Sequence, residues 1–176
     1  MARQVQIEDS KQRISDALFK LMQTSDFEAI TLSEIAAHAG VTRMTLHRHF
    51  KTKENIILYN AQKTFNEELA KTKDSPTPLI LLITKRLETL KRIPHRSILL
   101  KSPDLKVLLQ KFQFESFSER LKQKLSNDYK DDPYFYHFYF GGMDAIVRAW
   151  LEDDCRIPTE KIVEKIVRLT RRFLDE

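Results

Sequence analysis

One stretch of twenty residues, Thr31-Leu-Ser-Glu-Ile-Ala-Ala-His-Ala-Gly-Val-Thr-Arg-Met-Thr-Leu-His-Arg-His-Phe50, constrains this chain more than any other, because nearly every residue in it has an assignable local role. Thr31 is placed to cap a helix, and Glu34, three residues on, reaches back to the cap amide, so two orphan N–H groups are satisfied reciprocally. Ile35 and Ala36 then face inward. Gly40 stands where the chain must leave the helix through a positive-φ conformation, which glycine enters without steric cost. Val41 fills the angle, Thr42 caps a second helix, and Leu46 and Phe50, four apart, share its inward face. Arg43, Met44, Thr45, His47, Arg48 and His49 are left pointing outward, followed by Lys51 and Lys53, with no acidic residue from Thr42 to Lys53. Such a surface suits phosphate.

The rest of the chain reads as further helices. Asp9 or Ser10 caps a first one whose apolar positions are Ile14, Ala17, Leu18, Leu21 and Met22. Phe27 and Ile30 are spaced to pack the following connection on the two-helix unit, completing a three-helix head, since two short helices alone bury too little. Thr52 caps a connecting helix that runs to about Lys71 through Ile56, Ile57, Leu58, Ala61, Phe65 and Leu69. Its first amides, with Lys53 beside them, offer a site for a phosphate oxygen. Lys73-Asp-Ser-Pro-Thr-Pro78 is a loop. Leu79, Leu82, Ile83, Leu87 and Leu90 mark a fifth helix ended by Pro94, and its basic face, Lys85, Arg86, Lys91 and Arg92, reads as solvent cover. A short helix near 96–100 precedes a longer one that Pro103 begins and that carries Leu105, Leu108, Leu109, Phe112, Phe117, Leu121 and Leu125.

The segment from Tyr134 to Leu151 is apolar around most of its circumference, which predicts burial on more than one side. Pro158 opens a last helix with a stripe at Ile162, Ile166, Leu169 and Phe173, widened by Val163, Val167 and Leu174. Together these two helices carry more apolar surface than one small body covers. Pairing with a second copy through Phe140, Met143, Val147, Trp150, Leu151, Ile162, Ile166, Leu169 and Phe173 would cover it. Gly141-Gly142 costs about 1 kcal/mol per glycine in a helix, and close backbone approach at that interface would offset the loss. The fold class is therefore all-α: a helix-turn-helix head at 1–52 and a helical body at 53–176, with 53–71 as the connection.

Composition narrows the function. The chain carries a net charge of +5, compatible with nucleic acid. Its single cysteine, Cys155, excludes an internal disulfide and has no resolving partner for redox sensing. No apolar run reaches membrane-spanning length and the first residues lack a signal-peptide core, so the expected location is cytoplasmic, without a membrane partner. There is no glycine-rich phosphate loop, no nucleophile motif and no metal-ligand spacing, so neither catalysis nor a cofactor or metal is expected. His47 and His49, two apart on a helix, do not share a face, and His38, His95 and His137 are isolated.

Ile35-Ala-Ala-x-Ala-Gly-Val41, Thr45-Leu-x-x-His-Phe50 and Lys53-Glu-x-Ile-Ile57 resemble the TetR family of bacterial transcriptional regulators over residues 10–60. The family usually has Tyr, commonly a phosphate contact, where this chain has His47. Farther on, Phe140-Gly-Gly-Met143 and Trp150-Leu151 resemble the subgroup containing the dihydroxyacetone-kinase activator. The resemblance implies a homodimer in which the last two helices of each subunit form a four-helix bundle, with each recognition helix in a major groove of an inverted-repeat operator on double-stranded DNA. Arg43, Met44 and Thr45 are then the base-edge candidates, and Thr31, Ser33, Thr42, His47, Arg48, His49 and Lys53 position the backbone. Two modes of control are expected alternatives. In one, a repressor is released by a small ligand held by aromatics among Phe112, Phe114, Phe117, Tyr136 and Tyr139; in the other, the body of an adaptor or activator answers to a protein partner.

Overall fold

The computed structural model describes residues 2–71, 78–94, 96–123 and 125–173, all helix, turn or loop with no strand. The expected loop at 73–77, His95 and Leu174 lie outside these residues, as do the side chains of Leu69 and Leu79. Three helices form the head: α1 (Ala2–Leu21), α2 (Leu32–Ala39) and α3 (Arg43–His49). Six follow: α4 (Lys53–Lys71), α5 (Pro78–Arg92), α6 (Ile98–Lys101), α7 (Pro103–Lys122), α8 (Pro133–Glu152) and α9 (Thr159–Thr170), with a single 3₁₀ turn at Arg171–Phe173.

Packing follows the apolar stripes. α1 lies on α2, α3 and α4; α4 reaches on to α5 and α7; α9 packs on α5 and α8. Ile14, Leu18, Met22, Ile35, Leu46, Ile56 and Ile57 are fully buried and bind head to connecting helix, each such side chain stabilising the fold by roughly 1.5–3 kcal/mol. The core continues without a break through Phe65, Leu87, Phe117 and Leu121 to Trp150 and Ile166.

Three expectations change. First, α1 begins at Ala2, a full two turns before Asp9. Residues 2–8 have few apolar positions to make a stripe, so periodicity is silent there, yet they contain no helix breaker. Their anchor is tertiary: the Tyr59 hydroxyl donates to Glu8 Oε1 at 2.6 Å, and the Lys11 ammonium lies 5.7 Å from the Tyr59 ring centre. Second, Arg86 is not solvent cover. It lies in a small cavity between α5, α7 and α8 with Asp144, Arg148 and Lys106, its guanidinium 6.0 Å from the Phe117 ring centre. Loss of water around that guanidinium pushes its pKa down to about 10, with Asp144 opposing the shift.

The third change concerns α8. Phe140, Met143, Val147, Trp150, Leu151, Ile162, Ile166 and Phe173, expected to wait for a second copy, are already buried within one chain. Of the expected set only Leu169 is open, at 55 % exposure. The open face of α8 is a different stripe, Tyr134, Phe138, Gly141, Gly142, Ala145 and Ala149, with Tyr134 at 82 % and Phe138 at 61 % exposure. The reason is geometric: α7 and α9 flank α8 and cover two sides, leaving a third uncovered. A Cβ added at Gly141 or Gly142 would meet nothing within 4 Å, so neither glycine serves close approach within the subunit.

α8 ends at Asp153 through two left-handed residues, Asp154 (φ 53°) and Cys155 (φ 55°). Asp154 is held by Arg96, whose guanidinium bonds both its carboxylate and its carbonyl, while Trp150 Nε1 donates to the Ile157 carbonyl at 2.7 Å. Cys155, itself part of this turn, is buried. No helix among the described residues is long and apolar enough to cross a membrane.

Candidate nucleic-acid interface

The turn between α2 and α3 is built almost entirely from adjacent residues. Thr31 and Glu34 form the reciprocal cap: the Thr31 amide and hydroxyl donate to Glu34 Oε2 at 2.8 and 2.7 Å, and the Glu34 amide donates to Thr31 Oγ1 at 3.2 Å. These bonds hold the Glu34 carboxyl below its ordinary pKa. They also commit the Thr31 hydroxyl to the cap, against its expected role on a phosphate. Gly40 adopts φ 62°, its amide returning to Ala37 O at 3.1 Å while the Val41 amide reaches Ala36 O at 3.0 Å, the paired bonds of a Schellman ending. Arg13, which local reasoning does not single out, completes this ending by donating to the carbonyls of Ala39 at 2.6 Å and Gly40 at 2.9 Å.

Thr42 caps α3, accepting from the Thr45 amide at 3.1 Å and donating to Thr45 Oγ1 at 3.0 Å. Leu46 and Phe50 are buried behind it. Thr42, Arg43, Met44, His47 and Arg48 are exposed on the opposite side, Met44 at 82 %, and Ser33 is exposed on α2; Thr45 and His49 are half-buried. Desolvation, then Arg48 and Lys11, lower the pKa of His49. Beside α3 the N-terminal half of α1 forms the other wall of an open groove of about 990 Å³, its lining including Arg3, Arg13, Arg48 and His49, the carboxylate of Asp9, and Thr42 and Thr45. Arg3 is thus a cation at this surface that the sequence pattern did not reveal.

Lys53 is placed differently from expectation. Its ammonium turns inward and donates to the carbonyls of Phe27 at 2.6 Å, Ile30 at 2.8 Å and Glu28 at 3.3 Å, 4.5 Å from the Phe27 ring centre. An ammonium has three donors, and all are taken, so Lys53 closes the turn ahead of α2 and presents no donor to a phosphate.

In the body, the aromatics expected to hold a ligand separate into two groups. Phe112 and Phe117 pack round Phe65, with ring centres 5.5 and 5.1 Å away, and Tyr139 is buried against Phe135 at 5.8 Å; all three serve the core. Phe114 and Tyr136 instead line an open cleft of about 320 Å³ between α7 and α8.

Comparison with known proteins accords with this geometry. Residues 14–59 match the model of bacterial regulatory proteins of the TetR family, and residues 101–172 match a transcriptional regulator C-terminal region. An HTH-type transcriptional regulator, SAB2452, of Staphylococcus aureus is 34 % identical over 58 residues, 33 % of this chain and 31 % of that protein. This chain thus spans about a third of the length of the curated relative it matches. Among solved structures, a TetR transcriptional regulator from Streptococcus agalactiae 2603V superposes with a TM-score of 0.65 at 18 % identity, covering 96 % of this chain and 97 % of that one. The fatty acid degradation regulator FadR from Bacillus halodurans gives a TM-score of 0.59 at 19 % identity, covering 91 % and 93 %. The multidrug binding protein EbrR, solved with imidazole, gives 0.58 at 20 %, covering 90 % and 93 %. The chain thus carries a head at 14–59 that matches the TetR family model, followed by a body at 101–172 that matches a transcriptional regulator C-terminal region, and it shares its fold along nearly its whole length with solved TetR regulators.

Proposed function

We propose that this chain is a sequence-specific DNA-binding regulator that acts as a homodimer on an inverted-repeat operator and represses until an effector releases it. The observation that carries this reading is the exposed first turn of α3. There Arg43 and Met44 project from a helix whose start is capped by Thr42 and whose back is locked by Leu46 and Phe50, beside a groove edged by Arg3 and Arg48, with His49, Asp9 and the carbonyl-bonded Arg13 also on its lining. Arg43 pairs with a guanine edge, and the methyls of Met44 and Thr45 meet thymine. His47, Arg48, His49, Ser33 and Arg3 contact phosphates. The head at 1–52 is carried by α4 on the body at 53–176.

For the second copy, the supporting feature is the open α8 stripe from Tyr134 to Ala149, together with Leu169. Small residues in its centre allow two helices to approach, and the aromatics at one end bury area across a two-fold axis. The competing reading, a body that docks a protein partner as adaptor or activator instead of binding a small ligand, draws on the same exposed Tyr134 and Phe138.

The test combines selection of bound sequences from random duplexes with sedimentation. Wild-type protein is expected to sediment as a dimer and to select an inverted repeat. Phe138→Glu with Leu169→Glu is expected to give folded monomers that lose the preference. Selection of no common sequence would overturn the DNA reading, and monomeric wild-type protein would overturn the dimer. Ile166 is unsuitable for this test because it is fully buried and a charge there unfolds the subunit.

A further inference from the structure

The cleft between α7 and α8 contains a polar group that the fold leaves unsatisfied. Gln113 is only 2 % exposed and lines this cleft, and its side-chain Nε2 makes no hydrogen bond among the described residues. A sealed amide donor without an acceptor is costly, and a fold that has one gains when an acceptor arrives. The surroundings specify the remainder of that molecule. Phe114, kept 41 % exposed, stands over the cleft with the rings of Phe140 at 5.5 Å, His137 at 6.2 Å and Tyr136 at 6.3 Å. The volume of about 320 Å³ falls at the lower end of small-molecule sites, roughly 300–1,000 Å³. At its rim Lys111 lies 3.8 Å from Glu115, so the entrance has no large excess of either charge.

We infer that this cleft binds a flat aromatic compound carrying one oxygen acceptor, its ring against Phe114 and Phe140 and its oxygen accepting from Gln113 Nε2, which is enclosed beside the cleft and turns about the terminal side-chain bond to meet the occupant. Aromatic rings favour offset and edge contacts with one another, which the splayed set of rings around Phe114 offers. The acceptor is a neutral carbonyl or a carboxylate. Gly141 lines the cleft and also belongs to the open α8 stripe, so an occupant reaches the edge of the face proposed for the second copy. As an effector site the cleft rests on the regulatory reading above. Binding is measured on the free protein, so failure here leaves the DNA reading standing, and failure of the DNA reading leaves this result standing.

The experiment titrates full-length protein with acetophenone, benzoate and ethylbenzene, reading the Gln113 side-chain amide by nitrogen-15 NMR and affinity by calorimetry. Acetophenone or benzoate is expected to move the Gln113 amide signal saturably, and whichever binds tighter identifies the acceptor as neutral or charged. Ethylbenzene, with no acceptor, is expected to bind about tenfold more weakly, the value of one hydrogen bond. Gln113→Met should abolish that difference. Phe114→Ala, at a position open enough to spare the core, should weaken all the probes together and serves if the first variant does not fold. Absence of a saturable shift with both oxygen-bearing probes, or equal affinity for ethylbenzene, would overturn the inference.

Discussion

Replacing Lys53 by Met separates two roles that make opposite demands. The ammonium satisfies the carbonyls of Phe27 and Ile30 with short, part-buried bonds of 2.6 and 2.8 Å and adds a longer, exposed one to Glu28 at 3.3 Å. Charge-assisted bonds contribute about 1.5–3 kcal/mol each when strong, but water can rehydrate the outer carbonyl and part of the others. Two effective bonds at about 1 kcal/mol each, with about 0.5 kcal/mol from the Phe27 ring, give a destabilisation of roughly 2–3 kcal/mol. For a chain of this size that lowers Tm by about 4–12 °C. Thermal unfolding provides the first measurement, and fluorescence anisotropy on duplex DNA across a salt series the second. A phosphate-binding lysine would leave Tm unchanged and flatten the salt slope by about one unit. An unshifted Tm together with that flatter slope would refute the inward placement.

Gly40→Ala forces φ 62° on a residue with a side chain and brings its Cβ to 2.8 Å from an Arg13 guanidinium nitrogen that is bonded to two carbonyls. A loss of about 1–3 kcal/mol in chemical denaturation is expected, and a loss below about 0.5 kcal/mol would mean that the turn is not held in this form. Arg86→Met removes a desolvated cation while leaving Asp144 its partners, Gln110 at 3.0 Å and Arg148 at 3.6 Å; stability should be unchanged or rise by about 1–2 kcal/mol, and a fall of that size would show Arg86 to be an obligatory ion partner. Because His49 has a lowered pKa in the folded chain, the unfolded chain takes up its proton first as pH falls. His49 therefore costs no stability above the ordinary imidazole range and reduces stability progressively as pH drops through that range to the folded value. Unfolding measured against pH should show this slope in the wild type and a shallower one in His49→Gln; identical slopes would remove the assignment.

Much of the head is readable from sequence because its determinants are neighbours in the chain. Thr31 with Glu34, Gly40 with Val41, Thr42 with Thr45, and Leu46 with Phe50 interact within a turn or two of backbone, and local sterics and hydrogen bonding are the same wherever such a segment occurs. The order and type of the body helices are legible for the same reason, through stripes of apolar residues at helical spacing. Which side chains remain available is a different matter. Lys53 and Arg13 look like surface cations until residues more than twenty positions away present carbonyls to them. Arg86 belongs to a basic stripe in sequence and, in space, to a half-buried position in the small cavity that α7 and α8 help to line. On α8 the apolar circumference announces burial but not by what: α7 and α9 take the sides bearing Phe140, Met143, Val147 and Trp150, and the face with Tyr134, Phe138 and the glycines is left over. Periodicity specifies that a helix has a buried side, and only the packing of distant elements decides which of several apolar sides that is.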